Sequence, residues 1–164
     1  VFKNTVTIAL RINEFDWVEQ FIQEYAPYLP TNIRENARTF NLANLYSHQK
    51  KYDKVIELLR DVEYNDIVYA LGSKLILLRT YYESDEYLAM DSLIDSFKIF
   101  LRRNKVISKN LKRDYSNFLV FLKKLSTLNS SNPQAIEKLK KRILETPYTG
   151  SKKWLLERIE DIQR

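Results

Sequence analysis

The chain of 164 residues has the length of about one domain, and its 45% of hydrophobic residues is enough apolar material to bury a core. Charged residues make up 29% and aromatic residues 13%, with 27 Lys and Arg against 21 Asp and Glu for a net charge of +6, a composition that excludes low-hydrophobicity disorder. There is no Cys, a single His at position 48, and only Gly72 and Gly150 among glycines, which excludes disulfides, thiolate metal sites, Cys nucleophiles, His-rich metal centres and glycine-rich phosphate cradles. No apolar run approaches the roughly 18 residues of a membrane span, so no membrane insertion is expected. Cytoplasm is the default location, and neither a metal nor a cofactor is expected.

Leu, Ile, Lys, Glu and Arg recur at helical spacing and turn residues are scarce, so the expected fold class is all-α. Breaks near Asn13, Pro27 to Asn32, Lys50 and Lys51, Asn65 and Asp66, Ser84 to Glu86, Arg103 to Ser108, Asn129 to Pro133 and Thr146 to Gly150 predict about nine helices. The first two carry a loose apolar stripe of Phe2, Val6, Ala9, Phe15, Val18 and Ile22. Next come Thr39, Leu42, Ala43 and Tyr46, followed by Tyr52, Val55 and Leu59. A shift of 35 residues reproduces this set as Lys74, Leu77, Leu78 and Tyr81, then Tyr87, Met90 and Ile94, with Phe97 repeating Val62. Further on, Tyr115, Phe118, Leu119 and Leu122 keep the spacing, and Ala135 and Leu139 follow a longer loop. Tyr115, Phe118 and Phe121 also share a predicted core stripe with Leu111, Leu122 and Leu125. Asn132 before Pro133, and Ser151 after Gly150, put short acceptors where helix starts leave backbone N–H groups unpaired. The last helix has one apolar face, Trp154, Leu155, Ile159 and Ile162, with Lys152, Lys153, Glu157, Glu160 and Asp161 around the rest.

These residues resemble the tetratricopeptide repeat, whose first helix carries an aromatic, Leu, small residue and Tyr at fixed offsets and whose second carries a small residue and a large apolar one four later. The best unit spans 36–67, with Thr39 in the aromatic slot and Ile67 in the closing Pro slot; the others are 1–30, 70–103 and 108–145. The marker tyrosine slot falls at Ala9, Tyr46, Tyr81 and Leu122. The resemblance implies a right-handed α-solenoid of three to four antiparallel helix pairs forming a single domain, with 151–163 as a capping helix, like the divergent repeat proteins of bacteria. The chain opens on Val1 in mid-pattern, and the expectation is the C-terminal part of a longer protein. Leu78 and Met90 stand where the family prefers small residues, which implies wider helix crossings there. An ordinary helical bundle with coincident stripes is the alternative architecture.

In this family the first helices line a concave groove for peptides or partner helices. Carried over by position, that face is Phe40, Asn44, Ser47 and His48, then Leu75, Arg79, Tyr82 and Glu83, then Ser116, Val120, Lys123 and Lys124. The implied function is a non-catalytic protein-interaction scaffold binding a peptide or partner helix, with an acidic partner favoured by Arg79, Lys123 and Lys124. Residues 1–98 hold 11 Lys and Arg against 15 Asp and Glu, whereas 99–164 hold 16 against 6. Arg102, Arg103, Lys105, Lys109, Lys112 and Arg113 cluster around one predicted loop, and Lys138, Lys140, Lys141 and Arg142 follow in the next helix. This basic patch sustains an alternative, a nucleic-acid-binding helical-repeat module, alongside a simpler role as a solvated face; an enzyme accessory domain is a third reading. No catalytic set emerges: His48 has Ser47 as its neighbour, but adjacent helix residues diverge by about 100°.

Overall fold

The computed structural model describes residues 1–164, which form nine α-helices and no strand. They are α1 (Phe2–Arg11), α2 (Phe15–Tyr25), α3 (Thr31–His48), α4 (Tyr52–Leu59), α5 (Ile67–Glu83), α6 (Tyr87–Arg103), α7 (Lys109–Ser126), α8 (Pro133–Glu145) and α9 (Lys152–Gln163), with a 3₁₀ turn at Ala26–Tyr28. The all-α expectation and the predicted breaks agree with this order. The chain divides into two compact units, Val1–Glu86 and Tyr87–Arg164, and the division falls within the predicted repeat 70–103.

In the first unit α3 is the hub, packing on α1, α2, α4 and α5. The predicted upstream stripe forms its own core: Val6, Ala9, Val18 and Ile22 are buried with Leu10 and Leu45, and Phe2, Phe15, Leu42 and Tyr46 pack around them. Ala43 is fully buried, as are Val55 and Leu45, and Leu59 is nearly so. Gly72 serves a close approach: a Cβ there would lie 2.6 Å from Cε2 of Phe40, so the ring of Phe40 rests directly on the α5 backbone.

One turn closes α1, α3 and α5 alike. Asn13, Lys50 and Asp85 each take left-handed backbone, with φ of 62°, 56° and 59°. In each case the next residue donates its N–H to the carbonyl five back: Glu14 to Ala9 at 3.1 Å, Lys51 to Tyr46 at 2.9 Å and Glu86 to Tyr81 at 2.8 Å. This is the Schellman closure, which satisfies the last helical carbonyls. Its usual glycine is absent at all three.

The second unit is built around α7, which packs on α6, α8 and α9. Its core holds Met90, Ile94, Phe97, Phe118, Leu119, Phe121, Leu122 and Leu125, together with Ile143 and Leu155, and the ring of Trp154 lies 6.2 Å from that of Phe118. Leu111 departs from the predicted stripe. It is 38% exposed, because it lies in the first turn of α7, ahead of the buried run that starts at Phe118. Asn132 caps α8 as expected, accepting from the Ala135 N–H at 3.0 Å, whereas Ser151 does not cap α9. At φ 50° Ser151 is itself in the left-handed region and its hydroxyl makes no capping bond. The α9 face of Trp154, Leu155 and Ile159 is buried, and Lys153, Glu160 and Asp161 are exposed.

Candidate functional site

Most of α5 is buried, including Ala70, Leu71, Ser73, Ile76, Leu77, Leu78, Thr80 and Tyr81. What stays partly exposed includes Val68, Gly72, Leu75, Arg79, Tyr82 and Glu83, a stripe at helical spacing along one side. All four α5 residues assigned to the groove lie on it. On α3, Asn44 and Ser47 are half-buried and His48 is exposed, its Nδ1 2.9 Å from the Asn44 carbonyl.

One of these assignments, Phe40, is corrected by its burial. Phe40 is only 4% exposed. Its ring meets Tyr69 edge-on at 5.3 Å and covers Gly72, so it is a core residue packed on α5 at that point and not a surface anchor. Glu83 stays on the stripe, half-buried, and accepts a hydrogen bond from the Tyr52 hydroxyl of α4 at 2.5 Å. Near the stripe's N-terminal end, burial pushes the phenol of Tyr64 up, with Ser73 opposing and Tyr69 adding to it. Burial pushes Tyr69 up too, with a smaller contribution from Asp66. Lys74 is pushed down by burial, against a contrary pull from Glu63.

The remaining groove residues belong to the second unit. Ser116, Val120 and Lys123 lie on the exposed side of α7 and Lys124 is half-buried. Lys123 is not a free steering charge: its Nζ lies 2.7 Å from both carboxylate oxygens of Asp91 on α6. Of the basic patch, Arg102 and Arg103 end α6, Lys105 lies in the loop, and Lys109, Lys112 and Arg113 open α7. Arg113 stacks its guanidinium over the Tyr148 ring at 3.9 Å. On α8, Lys141 pairs with Glu145 at 3.7 Å, Lys140 is half-buried, and Lys138 and Arg142 are exposed.

The structure also joins residues that the sequence reading kept in separate sets. Lys124, assigned to the groove, and Lys138 and Arg142, assigned to the basic patch, line one cleft of about 430 Å³ between α7 and α8. Its other walls are Thr127, Leu128, Asn129, Ala135 and Leu139. These were not singled out as a site, although residues 115 to 136 contain no acidic side chain, a signal present in the sequence. A second cleft, about 420 Å³, lies between α1 and α2 and is lined by Thr5, Ile8, Ala9, Ile12, Glu14 and Trp17. Ile8, Ile12 and Trp17 are 61%, 65% and 45% exposed, and they too went unmarked in the sequence. No helix is long and apolar enough to cross a membrane. Comparison of the chain with family models, with curated proteins and with solved structures gives no match in any of the three.

Proposed function

We propose that this chain is a tetratricopeptide-like helical-repeat scaffold without catalytic activity, and that the first unit engages a peptide or partner helix along the α5 stripe. The observation that carries the reading is the recurring helix closure. The same Schellman turn follows Ala9, Tyr46 and Tyr81, the first three marker slots of the repeat register, at intervals of 37 and 35 residues. Further support comes from the packing of α1 on α3 and of α3 on α5, the succession in which first helices of stacked hairpins meet.

On this reading Leu75 and Tyr82 supply apolar contact and Arg79 offers a planar fork to a partner carboxylate. Asn44 and Ser47 add polar contacts from α3. Lys123, already paired, contributes little. The test recovers partners from a lysate of the source organism on the immobilised protein, with Tyr82→Ala and Arg79→Glu in parallel and melting temperatures recorded for each variant. Loss of the same bands in both variants, with melting unchanged, is the expected result. Undiminished recovery with both would remove the α5 stripe as the binding surface.

A further inference from the structure

We propose that the cleft between α7 and α8 is a binding site for a phosphate monoester, held by Lys124, Lys138 and Arg142. This site lies wholly in the second unit and is separate from the α5 stripe.

The three cations converge from two helices on one cleft, and none of them has a carboxylate within ion-pair distance. The acidic residues of α8 are engaged elsewhere: Glu145 with Lys141, and Glu137 with the side-chain amide of Gln163 at 2.7 Å. Three uncompensated cations around so small a volume raise the local potential and favour a compact, multiply charged anion over a dispersed one. Lys138 and Arg142 are four residues apart on α8 and so lie one above the other on the same face, while Lys124 faces them from α7.

The neutral lining suits the same ligand. Asn129 uses its Oδ1 to accept from the Ser131 N–H at 2.9 Å, which leaves the donor end of its amide uncommitted by that bond. Arg142 offers the planar guanidinium geometry that matches phosphate oxygens two at a time. Leu128, Ala135 and Leu139 are the apolar part of the lining and offer contact to the carbon group bearing the phosphate. No aromatic ring lines the cleft, so it lacks the stacking platform on which proteins hold single-stranded nucleic acid. The monoester can be carried by a small molecule or by a phosphorylated side chain of a peptide; the phosphate chemistry is common to both.

The experiment titrates the full chain with phenyl phosphate and phosphoserine, following amide shifts by NMR, in the wild type and in two double variants of equal charge change. Lys138→Gln with Arg142→Gln removes two cleft cations, and Lys140→Gln with Lys141→Gln removes two from the same helix outside the cleft. The expected result is saturable binding with shifts centred on Lys124, Thr127 and Asn129. The cleft variant should weaken it by about tenfold or more, and the control by less than about threefold. Equal weakening in the two variants would overturn the site and reduce it to net charge, as would the absence of saturation at millimolar ligand. A further arm compares free phosphoserine with a short phosphoserine peptide. Tighter binding of the peptide assigns the protein-borne source, and equal binding assigns the free one. An oligonucleotide that outcompetes both phosphoserine ligands and is weakened equally by both variants would replace the proposal with diffuse nucleic-acid binding.

Discussion

Val1–Glu86 carries 10 Lys and Arg against 13 Asp and Glu and buries three polar residues, Asn41, Ser73 and Thr80; Tyr87–Arg164 carries 17 against 8, and the polar residues among its buried set are none. The difference follows from how the helices are surrounded. In the first unit α3 touches four neighbouring helices and most of α5 is covered, so positions on several faces of both are buried, Asn41 on α3 and Ser73 and Thr80 on α5 included. Two of the three side chains bond back to their own helix, which makes such positions tolerable, while the Ser73 hydroxyl has no hydrogen-bond partner. Thr80 donates to the Ile76 carbonyl at 2.8 Å and Asn41 to the Ala37 carbonyl at 2.7 Å. In the second unit no polar or charged residue is buried as a whole, although Asp114 Oδ1 and Arg158 Nε are covered, and most of the net charge of +9 stays at the surface, where its mutual repulsion is screened by water and salt. The first unit therefore stores polarity in its core, while the second stores charge on its exterior.

The largest expected effect probes whether the two units respond separately. Phe118 is fully buried beside Trp154, so Phe118→Ala should cost about 3–5 kcal/mol. Hydrogen exchange should show lost protection concentrated in α7, α8 and α9, with α3 and α5 much less affected. Uniform loss across both units would erase the comparison.

A smaller effect tests the faces of α3. Ala43 is fully buried, and enlarging it should overpack the helix contact, so Ala43→Leu is expected to cost about 1–3 kcal/mol. Ser47→Leu, at a half-buried position one turn on, should shift the melting temperature far less. Equal shifts would mean that the core and open sides of α3 have been exchanged.

Alkaline titration separates the units by another route. Burial raises the phenol pKa of Tyr64, Tyr69 and Tyr81 in the first unit and of Tyr115 in the second. For Tyr81 the charge of Arg60 opposes the rise and those of Glu86 and Asp61 add to it, while Asp114 adds to it at Tyr115. A raised acid pKa means that the folded state keeps a proton the unfolded state has released, so stability falls as pH climbs above about 10. Lys74 acts with the opposite sign. Its lowered pKa costs stability while the unfolded amine is protonated, and that cost lessens as pH rises toward the unfolded pKa of about 10.4. With three shifted phenols against one, the first unit should lose exchange protection first as pH rises past 10. Earlier loss in α7 would contradict this.

Much of the helix order was legible because Asn, Pro and Ser punctuate the chain, and Tyr46 and Tyr81, aligned by the 35-residue shift, each accept the N–H that closes their helix. The closing turns themselves were not, since Lys50 occupies a left-handed position that ordinarily selects Gly or Asn. Phe40 misled for a physical reason: it lies off the Leu42, Ala43 and Tyr46 stripe, and a one-faced reading leaves it outside a helix that is in fact covered on several sides. The pairing of Lys123 with Asp91 and the α7–α8 cleft both depend on contacts between helices, 32 residues apart in the case of the ion pair, which no local spacing encodes.

The smallest expected effect concerns the polar core of the first unit most directly. Asn41 is fully buried, and while its amide nitrogen reaches the Ala37 carbonyl, its Oδ1 has no hydrogen-bond partner. An orphaned buried acceptor costs about 1–3 kcal/mol, whereas exchanging the whole group for an apolar one of similar shape is close to neutral. Leu has the same branched skeleton as Asn, and the Ala37 carbonyl would still accept the helical N–H of residue 41. Asn41→Leu should therefore change stability by less than about 1 kcal/mol, or raise it, and denaturant unfolding measures which. A loss above about 2 kcal/mol would show that Oδ1 is satisfied by a buried water bridging to a neighbouring helix. Asn41 would then be a structural tie between helices, and the polar residues of the first unit would support its packing instead of being merely tolerated by it.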